Sequence, residues 1–298
     1  MKLAFWRNNI LLRFNPKVIA NKSYKEVFGR NVNWENPGDL VEKILWLQLY
    51  SDTTLWTRCA DKYRVRRYVE EKGCGYALNE LYGKWDKAED IDWAKLPDSF
   101  VLKANNSCGE VLLVKDKSKL DIAKTTEQLN RWLGAVYGQT NAQLHYSGIQ
   151  PCIIAEKLMV DDQNYSSSLI DYKIWCFHGI PECVLVAYDR TEGQYYLTMY
   201  DLKWNNISSR AFNKNDAHYG NKEIPQPKSF GAMLEIAKIL SRDIPQVRMD
   251  FYDVDGKAVF GEMTFTTGFG SYAKEFYQYL GSKIDLSKVK KLDKPNTL

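Results

Sequence analysis

The chain has 298 residues, 45% of them hydrophobic, 26% charged and 13% aromatic, the composition of an ordinary soluble globular protein with material for one large domain or two to three modest ones. The net charge of +4 is small for this length and gives no case for nucleic acid. The aromatic residues lie mostly in alternating or helical apolar patterns, as core residues do, and not along a basic stripe.

At the start, Arg7 and Arg13 interrupt the apolar residues of Met1-Lys2-Leu3-Ala4-Phe5-Trp6 before they could form a signal peptide. No later stretch has the apolar length to cross a bilayer. Cys59, Cys74, Cys108, Cys152, Cys176 and Cys183 form no CxxC pair and no Cys/His cluster, so reduced thiols are expected. The expected location is cytoplasmic, with peripheral attachment at a membrane face left open.

Residues 38 to 72 have helical spacing, with Leu40, Ile44, Leu45, Leu47 and Leu49 in one segment and Tyr63, Val65, Tyr68 and Val69 in another. Ser51-Asp52-Thr53 is a cap-rich break between them. Gly73 to Pro97 reads as irregular. A strand, Phe100-Val101-Leu102-Lys103, is followed by the polar loop Asn105-Asn106-Ser107-Cys108-Gly109 and a second strand, Val111-Leu112-Leu113-Val114. This is not the strand, loop and helix of a P-loop, and no GxxxxGK[ST] is present. Residues 121 to 137 predict an amphipathic helix with Ile122, Leu129, Trp132, Leu133 and Val136 inward. Cys152-Ile153-Ile154-Ala155 predicts a buried strand running into Glu156, and a loop of Asp, Asn and Ser follows. Strands are expected near 169–177, 182–188 and 195–200, and a helix over 230–241. Strands with intercalated helices point to α+β layers, not to a doubly wound parallel sheet.

The last elements form a hairpin, Val247 to Phe265, around an Asp-Gly turn. Arg248, Asp250, Glu262 and Thr264 are even positions; Val247, Met249, Phe251, Val259, Met263 and Phe265 are odd. A three-residue loop, Val254 to Gly256, pairs Asp250 with Phe260 and Arg248 with Glu262, which places both carboxylates, the arginine and the hydroxyl on one face. An even loop without a bulge would split the two carboxylates between faces. Such a face suits Mg²⁺ and phosphate; the alternative is a hairpin with one merely solvated side.

Other charged positions carry similar pairs of readings. Asp61-Lys62-Tyr63-Arg64-Val65-Arg66 begins a helix either as a solvated cluster or as a source of functional cations. Lys103 ends an apolar strand before a small-residue loop, so it either meets an anion together with loop N–H groups or snorkels to water. Glu156 ends its strand where an acid is partly buried and accepts hydrogen bonds from a ligand or from neighbouring backbone. Asp171 and Lys173 share one strand face, as a phosphate site or as an ion pair. His145, His178 and His218 lie far apart, without metal-ligand spacing or a GxSxG companion, so a zinc site or hydrolytic triad is not expected.

The order of these positions resembles the ATP-grasp superfamily. Asp61-Lys62-Tyr63…Arg66, Leu96-Pro97…Phe100-Val101-Leu102-Lys103, Asp171-Tyr172-Lys173…Cys176-Phe177-His178-Gly179, Val247-Arg248-Met249-Asp250-Phe251-Tyr252 and Phe260-Gly261-Glu262-Met263-Thr264-Phe265 look more closely like its TupA-type branch, across about residues 40 to 283. The resemblance implies a helical N-terminal region (1–60) and two α+β subdomains (61–155 and 156–298) that clasp ATP. It implies that Lys62 and Lys103 contact phosphates, and that the loop with Ser107 and Gly109 closes over them. Glu156 to Met159 would form the hinge, with backbone groups of Lys157 and Leu158 reading adenine. Asp171 and Lys173 would face the nucleotide, Lys173 towards the transferred phosphoryl group. Asp250 and Glu262 would hold Mg²⁺, and Arg248 would steady the phosphorylated intermediate. Thr264 would complete the metal set where most of the superfamily has Asn, its hydroxyl being a weaker ligand than an amide carbonyl. The loop also departs from the branch's usual Asn-His-Gly-Ser-Gly, and losing one glycine stiffens it.

The implied activity is ATP-dependent ligation of an amine or amino acid to a small-molecule or saccharide carboxylate, in surface polysaccharide synthesis, with peripheral contact with membrane-bound polysaccharide machinery compatible with it. The alternatives are a glycosyltransferase, for which Asp253-Val254-Asp255 would be the metal motif, a kinase acting on a sugar hydroxyl, and a nucleotide-sensing scaffold.

Overall fold

Helix α1 (Pro16–Phe28) begins on a proline, whose missing N–H is harmless in a first turn, and stops at Gly29 in the left-handed region (φ 72°). The computed structural model describes residues 10–138, 142–160, 165–191, 193–213, 218–220 and 222–298; part of the Asp/Asn/Ser loop expected after Met159 lies outside them. Asp39 caps α2 (Leu40–Tyr50) by accepting the Glu42 N–H at 2.9 Å. Most side chains of α2 are buried, so it is a core helix and not an amphipathic surface one. After the expected break come α3 (Thr54–Ala60) and α4 (Arg64–Glu71). Asp61 braces the turn before α4, accepting the N–H groups of Tyr63 at 2.8 Å and Arg64 at 3.1 Å. Lys62 therefore stands in that turn and not on a helix.

The first sheet has the antiparallel order β1-β4-β2-β3, from β1 (Leu81–Trp85), β2 (Phe100–Ala104), β3 (Val111–Val114) and β4 (Ile153–Glu156). β1 corrects the expectation of an irregular stretch over Gly73 to Pro97. Gly83 hides this strand from a pattern search, yet it is required there, since a Cβ would overlap the Trp85 ring. One face of the sheet packs Phe100, Leu102, Ala104, Ile153 and Ala155 with Leu129 of α5 (Ile122–Leu133) in a small separate core. α5 ends at Leu133, four residues earlier than expected, with Gly134 as its cap, and its buried stripe is narrow. Ile122 and Val136, expected inward, are 45% and 57% exposed.

The second sheet has the antiparallel order β7-β6-β5-β8-β9. Its strands are β5 (Asp171–Phe177), β6 (Ile180–Thr191), β7 (Gln194–Asp201), β8 (Val247–Val254) and β9 (Lys257–Thr264). β5 starts two residues later than expected; β6 and β7 run longer at both ends. Helix α6 (Phe230–Ser241) packs on this sheet, burying Met233, Ile236, Ala237 and Leu240. Helix α7 (Lys274–Ser282), for which the sequence raised no expectation, packs on α2.

The β8–β9 hairpin corrects the expected register. Its turn has two residues, Asp255 (φ 53°) and Gly256 (φ 74°), with Val254 paired to Lys257, so the loop is even. A bulge at Gly261 then restores the parity: Phe251 pairs with Phe260, but Asp250 pairs with Glu262 and Arg248 with Thr264. Both carboxylates share a face as anticipated, by a different device. Beyond the bulge the alternation switches, so Phe260 enters the core (4% exposed) while Val259, expected inward, is only half-buried. Among the described residues no helix is long and apolar enough to cross a membrane.

Candidate active site

The polar face of the second sheet is a grid three strands wide. Register places Lys173 of β5 opposite Asp250 of β8, and Asp250 opposite Glu262 of β9. The row on one side is Trp175, Arg248 and Thr264; on the other, Tyr252 lies next to Asp171. Side chains directly opposite on one face are within reach, so the ladder alone gathers these groups.

Asp250 is the electrostatic centre. Its Oδ1 accepts from Arg248 Nε at 2.8 Å, and its Oδ2 from Arg248 Nη2 at 2.8 Å and from Lys173 Nζ. Burial opposes its charge, but Arg248 and Lys173 more than offset this and hold the carboxyl below its usual range. Burial likewise works against the Arg248 guanidinium, and the charges of Asp250 and Glu262 outweigh it, raising its pKa. Glu262 is held more loosely: Arg248 Nη2 is 3.9 Å away, Lys62 Nζ 3.7 Å, and the Thr264 hydroxyl donates to it at 3.2 Å. Its side chain keeps 36% exposure against 2% for Asp250. Thr264, which also accepts from Arg248 at 3.1 Å, is thus committed to these two neighbours.

Asp171 is bound by Lys173 at 3.4 Å and by Arg190 at 2.8 Å. It also bonds the Tyr252 phenol; the charge of Asp171 first, then burial and Glu262, push that phenol well above its ordinary pKa. Tyr252 and Arg190 are site residues that sequence reasoning did not single out. Tyr252 was findable, as the next even position on the strand that carries Arg248 and Asp250.

The first sheet presents a complementary surface. Lys103 Nζ pairs with Glu156 Oε2 at 2.7 Å, and Arg66 Nη1 with Glu156 Oε1 at 3.0 Å. Lys103 therefore neither snorkels to water nor stands alone. Arg66, quoted in the motif but given no role, belongs to this cluster. Lys62 links the two surfaces: its ammonium donates to the Ser107 carbonyl, its backbone N–H to Asn105 O at 3.0 Å, and Glu262 lies on its other side. In the loop itself the Ser107 hydroxyl and Asn106 Oδ1 are buried without a hydrogen-bond partner among the described residues, and Gly109 takes φ 96°. Buried polar atoms of this kind are costly unless a ligand satisfies them.

At the end of β4, the Lys157 N–H donates to Glu80 O at 2.9 Å and its carbonyl accepts from Asn79 at 2.9 Å. Leu158 follows directly with no such engagement among the described residues. Asp253-Val254-Asp255 does not form a metal motif: Asp253 is buried and accepts the Ser229 N–H at 3.2 Å, while Asp255 sits in the exposed turn. Among the described residues no three His, Cys, Asp or Glu side chains gather into a metal cage.

Two antiparallel sheets, with Lys62 and the loop it holds set beside a carboxylate-bearing hairpin, are the arrangement expected of an ATP-grasp protein. The family model for TupA-like ATP-grasp proteins matches residues 42–285, most of the chain, and the chain belongs to that family. Solved structures to which the chain is similar include D-alanine–D-alanine ligase from Bacillus anthracis complexed with ATP, 16% identical, over 79% of this chain and 68% of that one, with TM-score 0.48. The Helicobacter pylori D-alanine–D-alanine ligase is 13% identical, over 83% and 67% of the two chains, with TM-score 0.43. Phosphoribosylamine–glycine ligase from Thermotoga maritima is 10% identical, over 74% and 50%, with TM-score 0.40. A search of curated protein sequences found no match.

Proposed function

We propose that this protein is an ATP-dependent carboxylate–amine ligase that works through an acyl phosphate. The observation that carries this reading is the row Lys173–Asp250–Glu262 flanked by Arg248, facing Lys62 and the loop it holds. Two subdomains, 61–155 and 156–298, would close on the nucleotide, with 1–60 as helical support. Lys62, Lys103, Ser107 and Gly109 would bind phosphates. Glu156 would orient Lys103 and Arg66, and the backbone at Lys157 and Leu158 would read adenine, with Leu158 offering the open groups.

The donor set fits Mg²⁺ that arrives with a nucleotide. Two carboxylates with phosphate oxygens and water are a usual Mg²⁺ environment. Glu262 is open and loosely held. Asp250 would join Glu262 in holding the ion, and Lys173, its partner in the structure, would turn to the transferred phosphoryl group. The cations named above outnumber the carboxylates, so Mg²⁺ without ATP would meet a surface already positive. Thr264 would brace Glu262 instead of binding metal. When bound, Mg²⁺ supplies charge neutralisation at the β- and γ-phosphates.

In the reaction, a carboxylate oxygen takes the γ-phosphoryl group and ADP leaves. An amine then attacks the acyl carbon, phosphate departs with the C–O electron pair, and the amine proton passes to solvent, giving an amide. Arg248 and Lys173 would spread the charge that develops on the phosphoryl oxygens. The carboxylate would be a uronic acid or another sugar-linked acid and the amine an amino acid, by analogy with the branch's association with surface polysaccharides.

The test is mass spectrometry of incubations with ATP, Mg²⁺, uronic acids and amino acids. Amine-dependent phosphate release with an amide product is expected. A phosphorylated sugar hydroxyl would replace this reading with the kinase, sugar transfer without ADP with the glycosyltransferase, and tight ATP binding without turnover with the scaffold.

A further inference from the structure

A cavity of about 510 Å³ lies outside the site above, between α1, α2 and the chain after α7. Most of its lining comes from residues that flank the family-matched span 42–285. Three lysines converge there: Lys17, Lys43 and Lys291. Among the described residues none of them has a carboxylate within 4.0 Å, although Glu35 also lines the wall. The Lys43 ammonium is half-buried and donates to the Ile284 carbonyl at 2.7 Å, which uses one of its three N–H groups. Burial pushes its pKa down, partly opposed by Asp285. Charge kept in such a place is costly unless an anion is near.

Three aromatic rings, Trp34, Trp46 and Tyr50, also line the wall. Lys17 Nζ sits 5.2 Å from the Trp34 ring centre and 5.0 Å from that of Tyr50; Lys291 Nζ is 5.4 Å from Tyr50. These contacts hold the two ammonium groups in place before any ligand arrives, which lowers the ordering cost of binding. The rings are not parallel: Trp34 meets Tyr50 at 72° and Trp46 meets it at 42°. That is a corner, not a slot, with no place for a flat base between two parallel rings. Asn36 and Ser287 on the wall offer an amide and a hydroxyl to ring hydroxyls.

We propose that this cavity binds an anionic sugar residue, a hydroxylated ring bearing a carboxylate or a phosphate, with its acid among the three lysines and its hydroxyls on Asn36 and Ser287. The cavity size falls within the range of small-ligand sites. Nothing in the proposal requires ATP turnover, so it stands or falls apart from the ligase reading.

The test is tryptophan fluorescence and calorimetry on the full chain without ATP, with glucuronate, glucose 6-phosphate, glucose and inorganic phosphate. One or both sugar acids should bind more tightly than glucose and than phosphate; which acid wins identifies the source of the charge. Trp34→Ala and, separately, Lys291→Gln should each weaken that binding by about fivefold to tenfold. Lys291 is exposed, so its variant tests the site even if Trp34→Ala unfolds. Equal binding of glucose, equal binding of inorganic phosphate, no binding by either acid at millimolar concentration, or an unaffected Lys291→Gln would each overturn the proposal.

Discussion

Asp250 and Glu262 occupy one ladder position and have opposite energetic characters. Glu262 is partly exposed and loosely held, so Glu262→Gln should abolish ATP turnover while changing unfolding free energy by no more than about 1 kcal/mol, read by steady-state kinetics and urea titration. Asp250→Asn removes the nearest counter-charge of two cations in a buried site and should cost about 3 kcal/mol. Similar stability losses for the two variants would contradict this division of roles. Because the Asp250 pKa is lowered on folding, its contribution is present above the ordinary carboxylate range and is lost only as pH falls through its depressed value. His145 lowers stability in the same direction, but for a different reason. It is buried against Trp56 and Phe265, with both ring nitrogens unpartnered among the described residues, and burial pushes its pKa from 6.5 down to about 3. Between those values the unfolded chain holds the extra proton, so stability falls as pH drops, by at most about 1.4 kcal/mol per unit. His145→Phe should flatten that slope and raise stability by about 1–3 kcal/mol at neutral pH, because it removes unsatisfied polar atoms. A variant with an unchanged acid slope in chemical denaturation would refute this account.

At the scale of elements, the hairpin separates two kinds of glycine. Gly256 needs its left-handed conformation (φ 74°), so Gly256→Ala should lower stability by about 1 kcal/mol and leave ATP turnover nearly unchanged. Gly261 needs space: a Cβ would sit 3.0 Å from the Asp250 carbonyl oxygen and 3.1 Å from the Tyr252 ring. Gly261→Ala should disturb the bulge that aligns Glu262 with Asp250, so turnover should fall far more than stability does. Equal losses of activity in the two variants would count against a functional bulge. This hairpin also shows what sequence can and cannot tell. The polar composition of one face was legible because charge alternates along Arg248, Asp250, Glu262 and Thr264. The register was not, since an odd loop and an even loop with a bulge leave the same alternation there; only Phe260 in place of Val259 in the core distinguishes them. β1 was illegible because Gly83 answers to its own neighbour's ring, and the end of α5 because Gly134 outweighs the periodicity of Val136.

For the whole molecule, the family and its α+β class were legible because charged positions recur in a fixed order along the chain. The pairing of Lys103 and Arg66 on Glu156 was not, because those residues meet only when α4, β2 and β4 assemble. The excess of cations over carboxylates across the two sheets predicts how ligands stabilise the protein. Mg²⁺ alone should leave the melting temperature unchanged, whereas ATP with Mg²⁺ at a hundredfold excess over Kd should add about 2.7 kcal/mol, roughly 4–8 °C in differential scanning fluorimetry. A shift with Mg²⁺ alone as large as with MgATP would mean that the carboxylates form a resident metal site. The bulge at Gly261 has a consequence on the timescale of descent. A strand with one buried face inverts when its length changes by a single residue. Related sequences should therefore preserve odd–even spacing between the residues that correspond to Asp250 and Glu262, gaining or losing residues there in pairs. A lineage that breaks this parity should also have moved its bulge, or have given up the chemistry of that face.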